Sequence, residues 1–83
     1  MCGIAGFVGT RAVGPTARAT MLAALADRGP DAQHATCWNS ALTRTEQDAT
    51  AALLHTRLSI RDLRVIADQP MTNDAGDIWI SYN

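Results

Sequence analysis

The chain opens Met1-Cys2-Gly3-Ile4-Ala5-Gly6-Phe7-Val8-Gly9, with a cysteine directly behind the initiator methionine. Methionine followed by a small residue is ordinarily removed, and Cys2 would then carry a thiol and a free α-amino group together. Such an amine titrates at about 7.7–8.0 and such a thiol at about 8.5, so near neutral pH each can exchange a proton with the other. The residue would be a nucleophile with its own general base attached. The alternative is a small buried hydrophobe at a strand start. Three other residues could join chemistry. Arg57 offers the planar fork that grips a carboxylate with two parallel bonds, although spacing alone favours an internal ion pair with Asp62 or Asp31. Asn83 at a strand end could donate into an oxyanion hole or serve simply as a turn former. Cys2, His34, Cys37 and His55 are potential metal ligands, but a structural zinc normally uses two closely spaced pairs, and only His34 with Cys37 is one. No metal site is expected, and His55 reads as a hydrogen-bonded structural histidine.

These residues need a frame. Residues 3–8 read as a short buried strand anchored by Ile4, Phe7 and Val8. Thr10 to Gly14 reads as a turn, and Gly14-Pro15-Thr16 as a helix start in which Thr16 can cap. Ala17, Met21, Leu22 and Leu25 recur as one face of an amphipathic helix over 15–27. Arg28-Gly29-Pro30-Asp31 stops it, Gly29 suiting a left-handed position beyond the helix end and Pro30 forbidding continuation. That reading does not explain why Arg28 and Asp31 flank the stop. His34–Asn39 and Ala49–His55 are expected as strands of a hairpin joined by the polar loop Ser40–Asp48. Asp68-Gln69-Pro70-Met71 is irregular, 72–77 is a strong turn, and Ile78, Ile80 and Tyr82 mark the apolar face of a last strand over 78–83.

With 83 residues there is room for one small domain, and 47% apolar residues fit a globular chain. The net charge is −1 without a basic cluster, which argues against nucleic acid or an anionic membrane as partner. All seven basic residues are arginine, so lysine chemistry is excluded and the N-terminus is the chain's only aliphatic amine. Two cysteines make no disulfide framework, and neither a signal-like N-terminus nor an apolar run of roughly 20 residues is present. A cytoplasmic location is expected.

Taken together, Cys2-Gly3-Ile4-Ala5-Gly6, Arg28-Gly29-Pro30-Asp31, Arg57-Leu58-Ser59-Ile60 with Asp62-Leu63, Gln69-Pro70-Met71 and Ser81-Tyr82-Asn83 resemble the class II glutamine amidotransferases. Within that class they look most like the N-terminal glutaminase domain of glutamine-hydrolysing asparagine synthetase. The resemblance implies an α+β fold, here part of a four-layer αββα sandwich comprising its first strands and first helix. It implies hydrolysis of glutamine to glutamate and ammonia through Cys2, its α-amino group acting as base, with the ammonia passed to aspartate. Arg57 matches the arginine that holds the glutamine α-carboxylate, backbone around Leu58 and Ile60 lines the pocket, and Asn83 matches the oxyanion-hole asparagine. ATP and magnesium are implied only for the family's synthetase domain, which these residues do not include.

The chain departs from the pattern at Asp27, where a histidine is usual, at Ala32-Gln33-His34 and Leu54, where glycines are usual, and in its long 40–48 loop. The family continues past the asparagine with glycine and glutamate, so residues 1–83 are expected to be the N-terminal part of the domain, cut within a strand and inactive alone. A non-catalytic small protein that keeps these residues and at most binds a partner is the other class of function they fit.

Overall fold

The computed structural model describes residues 2–58 and 68–82. Its elements are β1 (Gly3–Val13), α1 (Pro15–Leu25), β2 (Ala32–Trp38), β3 (Ala49–Arg57), β4 (Met71–Thr72) and β5 (Trp79–Ile80). The first three strands form an antiparallel sheet in the order β1-β3-β2, and β4 with β5 forms a second, two-stranded one. The fold is α+β, compatible with part of an αββα sandwich.

β3 is the centre of the larger sheet, and every residue from Leu54 to Arg57 is buried. Alternation along paired strands divides the sheet into two faces. Ala5 and Phe7 of β1, Ala52 and Leu54 of β3, and Cys37 of β2 face α1, where Met21 and Leu22 pack against them. The opposite face carries Ile4, Leu53, His55, Arg57, His34 and Trp38. The small sheet lies against this second face: Trp79 meets Trp38 edge-on with ring centroids 5.6 Å apart. The guanidinium of Arg44 stands 4.8 Å from the Trp79 ring centre. Helix, sheet and second sheet thus stack in the order α, β, β.

Several local expectations change. β1 runs on to Val13, and the expected 10–14 turn is an irregular excursion inside it: the pairing jumps from Val8↔Ala51 to Val13↔Ala49. Gly14, not Thr16, is the residue before α1, with no side-chain cap, and Pro15 occupies the first turn. The buried helix position is Arg18 rather than Ala17. Its guanidinium donates to the carbonyls of Val13 at 2.6 Å and Glu46 at 2.9 Å, tying the ends of two loops to the helix. Burial pushes the nearby Cys37 thiol above its ordinary value, with the Arg18 charge pulling the other way.

The helix ends at Leu25, two residues early. Gly29 does not adopt a positive φ; among the described residues only Leu42 and Gly76 do. Glycine is needed there for a different reason, because a Cβ would run into the Thr56 carbonyl and the Arg57 nitrogen of β3. The last strand is reduced to Trp79–Ile80 with its face reversed. Ile78, Ile80 and Tyr82 are exposed, whereas Trp79 and Ser81 are half-buried. The turn before it forms as expected around Asn73, whose Oδ1 accepts from Asp77 and Ile78 N–H at 3.1 Å each, with Gly76 at φ 74°. No helix of the described residues is long and apolar enough to cross a membrane.

Candidate active site

The pairing of β1 with β3 places Gly3 opposite Thr56. Cys2, the residue before β1, and Arg57, the last residue of β3, each lie one position beyond this pair. The two residues singled out from the sequence therefore lie at one end of the sheet, across a strand pair. Cys2 is half-buried and its thiol is free, whereas Arg57 is buried.

The peptide linking Cys2 to Gly3 is held at both polar atoms. Gly3 N–H donates to the Thr56 hydroxyl at 3.1 Å, and the Cys2 carbonyl lies 3.5 Å from Arg28 Nε. Thr56 is fully buried, and its O–H donates a hydrogen bond to the Leu25 carbonyl at 3.0 Å, satisfying the end of α1. Gly3 is required by this closeness: a Cβ on it would fall 2.5 Å from the Thr56 hydroxyl.

Arg28 and Asp31, which flank the helix stop, reach the cysteine end of β1 and the arginine end of β3. Arg28 reaches the Cys2 carbonyl, and Asp31 N–H donates to the Arg57 carbonyl at 3.0 Å, with Pro30 bridged to Arg57 in parallel. Gly29 lets the two backbones touch. The segment is a strap that fastens the cysteine end of β1 and the arginine end of β3 together.

Arg57 is ion-paired, as its burial demands. One carboxylate facing its guanidinium is that of Asp68, Nη1 to Oδ1 at 2.6 Å. Of the carboxylates expected from spacing, Asp31 meets Arg57 through backbone, and Asp62 lies outside the described residues. The other oxygen of Asp68 meets His34 Nε2 at 3.1 Å. The Arg57 hydrogen bond holds the Asp68 carboxyl below its usual range. The cleft beside this pair, about 360 Å³, is lined by His34, Arg44, Asp68, Gln69, Thr72 and Trp79 and includes neither Cys2 nor Arg57.

A third anchor lies on the same face. His55, two residues before Arg57, is buried, and its Nε2 pairs with the Tyr82 carbonyl at 3.1 Å. Tyr82 N–H in turn donates to Gln69 Oε1 at 2.7 Å. Both peptide atoms of the residue before Asn83 are thus fixed. Desolvation lowers the His55 pKa, and among the described residues its Nδ1 has no partner. Leu58 is half-buried just past β3; Ile60 and Asn83 lie outside the described residues. Among the described residues no group of three or more His, Cys, Asp or Glu could hold a metal ion.

The profile of the glutamine amidotransferase domain matches residues 1–83. The chain belongs to this family. Comparison with curated proteins and with solved structures gave no match. Membership makes glutamine amidotransfer the general activity of the domain and glutamine its substrate.

Sequence reasoning gives no role to Thr56 and Asp68, and it has Gln69 only as part of the Gln69-Pro70-Met71 motif. Thr56 carried a signal in hindsight, since it lies among His55 and Arg57 at the polar end of a strand, and a polar residue must find partners when buried. Asp68 stands 11 residues from Arg57 across a segment without periodicity, and no spacing rule would have joined them.

Proposed function

We propose that the domain hydrolyses glutamine through Cys2 in an asparagine synthetase-like amidotransferase that passes the ammonia to aspartate. The observation that carries the reading is the register that puts Cys2 and Arg57 at one sheet end, with the strap from Arg28 to Asp31 joining them.

On this reading Met1 is removed and the Cys2 thiol gives its proton to its own α-amino group. The sulfur attacks the side-chain amide carbon of glutamine, and the carbonyl oxygen takes the negative charge. Collapse of that adduct breaks the carbon–nitrogen bond, and the α-ammonium returns the proton so that ammonia leaves. Water, losing a proton to the same amine, then opens the γ-glutamyl thioester and frees glutamate and the thiol.

Arg57 is the fork for the substrate α-carboxylate, with backbone around Leu58 and Ile60 lining the pocket. Asp68 supports this role by fixing the buried guanidinium from one side. Asn83 supplies the oxyanion donor, and the fixing of Tyr82 by His55 and Gln69 supports it, because a donor must be immobile before charge develops. Clamp and nucleophile on adjacent strands give the fixed separation that effective molarity requires. ATP and magnesium belong, on this reading, to a synthetase domain beyond this one, and residues 1–83 form the N-terminal part of the glutaminase domain.

The test is glutaminase assay of the complete gene product and its Cys2→Ala variant. Ammonia release that disappears in the variant is expected. Undiminished release from Cys2→Ala would remove the nucleophile from the reading.

A further inference from the structure

The Thr56 hydroxyl sits where the nucleophile's own peptide needs a partner. It accepts from Gly3 N–H at 3.1 Å and donates to the Leu25 carbonyl at 3.0 Å, and the side chain is wholly buried. A hydroxyl that donates one bond and accepts another has a single proton direction, so the Gly3 amide has a fixed acceptor rather than a rotating one. On the far side of the same peptide, Arg28 Nε approaches the Cys2 carbonyl at 3.5 Å, a weaker hold. Gly3 leaves no slack on the Thr56 side, because even a methyl group there would lie 3.0 Å from Leu25 Cβ as well as 2.5 Å from the hydroxyl. The Cys2–Gly3 peptide plane is therefore set by the junction of α1 and β3. The α-amine and thiol of Cys2, both one or two bonds from that plane, inherit its orientation.

We infer that Thr56 is a positioning residue for the reaction: its hydroxyl fixes the Cys2–Gly3 peptide and so aims the amine–thiol pair at the substrate. The inference rests on the reading of Cys2 as the nucleophile. Thr56 touches neither substrate nor reacting atoms. Its contribution belongs to the rate of attack, while glutamine binding is carried by Arg57.

The experiment compares Thr56→Val, close in shape but without the hydroxyl, with Thr56→Ser, which keeps it, in the complete gene product. Thr56→Val should lower kcat about tenfold, the rate equivalent of one hydrogen bond, with the KM for glutamine within about twofold. Thr56→Ser should restore most of the loss. Cys37, buried on the α1 side of the sheet, serves as an internal monitor of packing. In Thr56→Val it should stay as resistant to iodoacetamide as in the parent. An unchanged kcat overturns the inference. So does a kcat loss accompanied by exposure of Cys37, or an insoluble Thr56→Val protein, since the hydroxyl would then serve folding alone. Activity that survives Cys2→Ala refutes the nucleophile instead, and the two failures are told apart by that control.

Discussion

Replacing Gly29 by alanine separates two explanations of the Arg28–Asp31 strap. If Gly29 merely ended a helix at an ordinary backbone conformation, alanine would restrict the unfolded chain and stabilise the protein by about 0.4–1 kcal/mol. The structure requires the opposite. Gly29 lacks a positive φ, so alanine meets no conformational penalty of its own, but its Cβ would strike the Thr56 carbonyl group and the Arg57 nitrogen. These are backbone atoms of the central strand and cannot rotate aside. Overpacking of this kind costs about 1–3 kcal/mol. Separating the strap from β3 would also stretch the Asp31 to Arg57 hydrogen bond, a further loss of about 1 kcal/mol. Against the small gain in the unfolded state, the net loss is about 1–3 kcal/mol. Urea denaturation of Gly29→Ala beside the parent measures it. A variant as stable as the parent, or more so, would refute the strap and return Gly29 to the role of helix terminator.

Asn73→Ala should weaken the β4–β5 hairpin by about 1–2 kcal/mol, because its Oδ1 accepts from two backbone donors and its amide reaches Asp77 at 2.6 Å; faster amide exchange at Ile78 checks it. Asp68→Ala takes one carboxylate from a buried guanidinium and should cost about 1.5–3 kcal/mol in thermal or urea unfolding, with Asp68→Asn intermediate. The folded pKa of Asp68 is depressed, so its contribution is full above the ordinary carboxylate value near 3.8 and is lost as pH falls through the lower folded value. His55 acts in the window above that. Burial lowers its folded pKa below the ordinary 6.5, so the unfolded chain takes up a proton first and stability declines as pH drops below about 6.5. Unfolding measured from pH 7 to pH 5 should show that slope in the parent and a weaker one in His55→Gln.

The sequence made the β2–β3 hairpin and the helix legible because both rest on local signals: alternation, a polar loop, and an apolar repeat after a proline. The helix face was read as Ala17 with Met21, Leu22 and Leu25, yet Arg18 takes the buried place. Hydrophobic periodicity has no means of registering a guanidinium that satisfies two loop carbonyls. The last strand was read with Ile78, Ile80 and Tyr82 inward. Its orientation is decided instead by Trp79, whose large ring finds Trp38 and Arg44, an interaction between elements far apart in the chain. At the site, residue chemistry points to Cys2 and draws notice to Arg57, whose role as a clamp comes only from the family resemblance; the strand pairing puts both at the same end of the sheet. Thr56, Asp68 and the strap contacts depend on long-range packing and became visible only in three dimensions.

The central claim is that Cys2, with Met1 removed, is the group that attacks glutamine. Intact-mass and peptide analysis of the complete gene product after treatment with a diazoketone analogue of glutamine tests it most directly. Loss of the initiator methionine and one covalent adduct are expected, the adduct located on the N-terminal Cys2 and suppressed by excess glutamine. Retained methionine with no adduct, or an adduct on Cys37 instead, would contradict it.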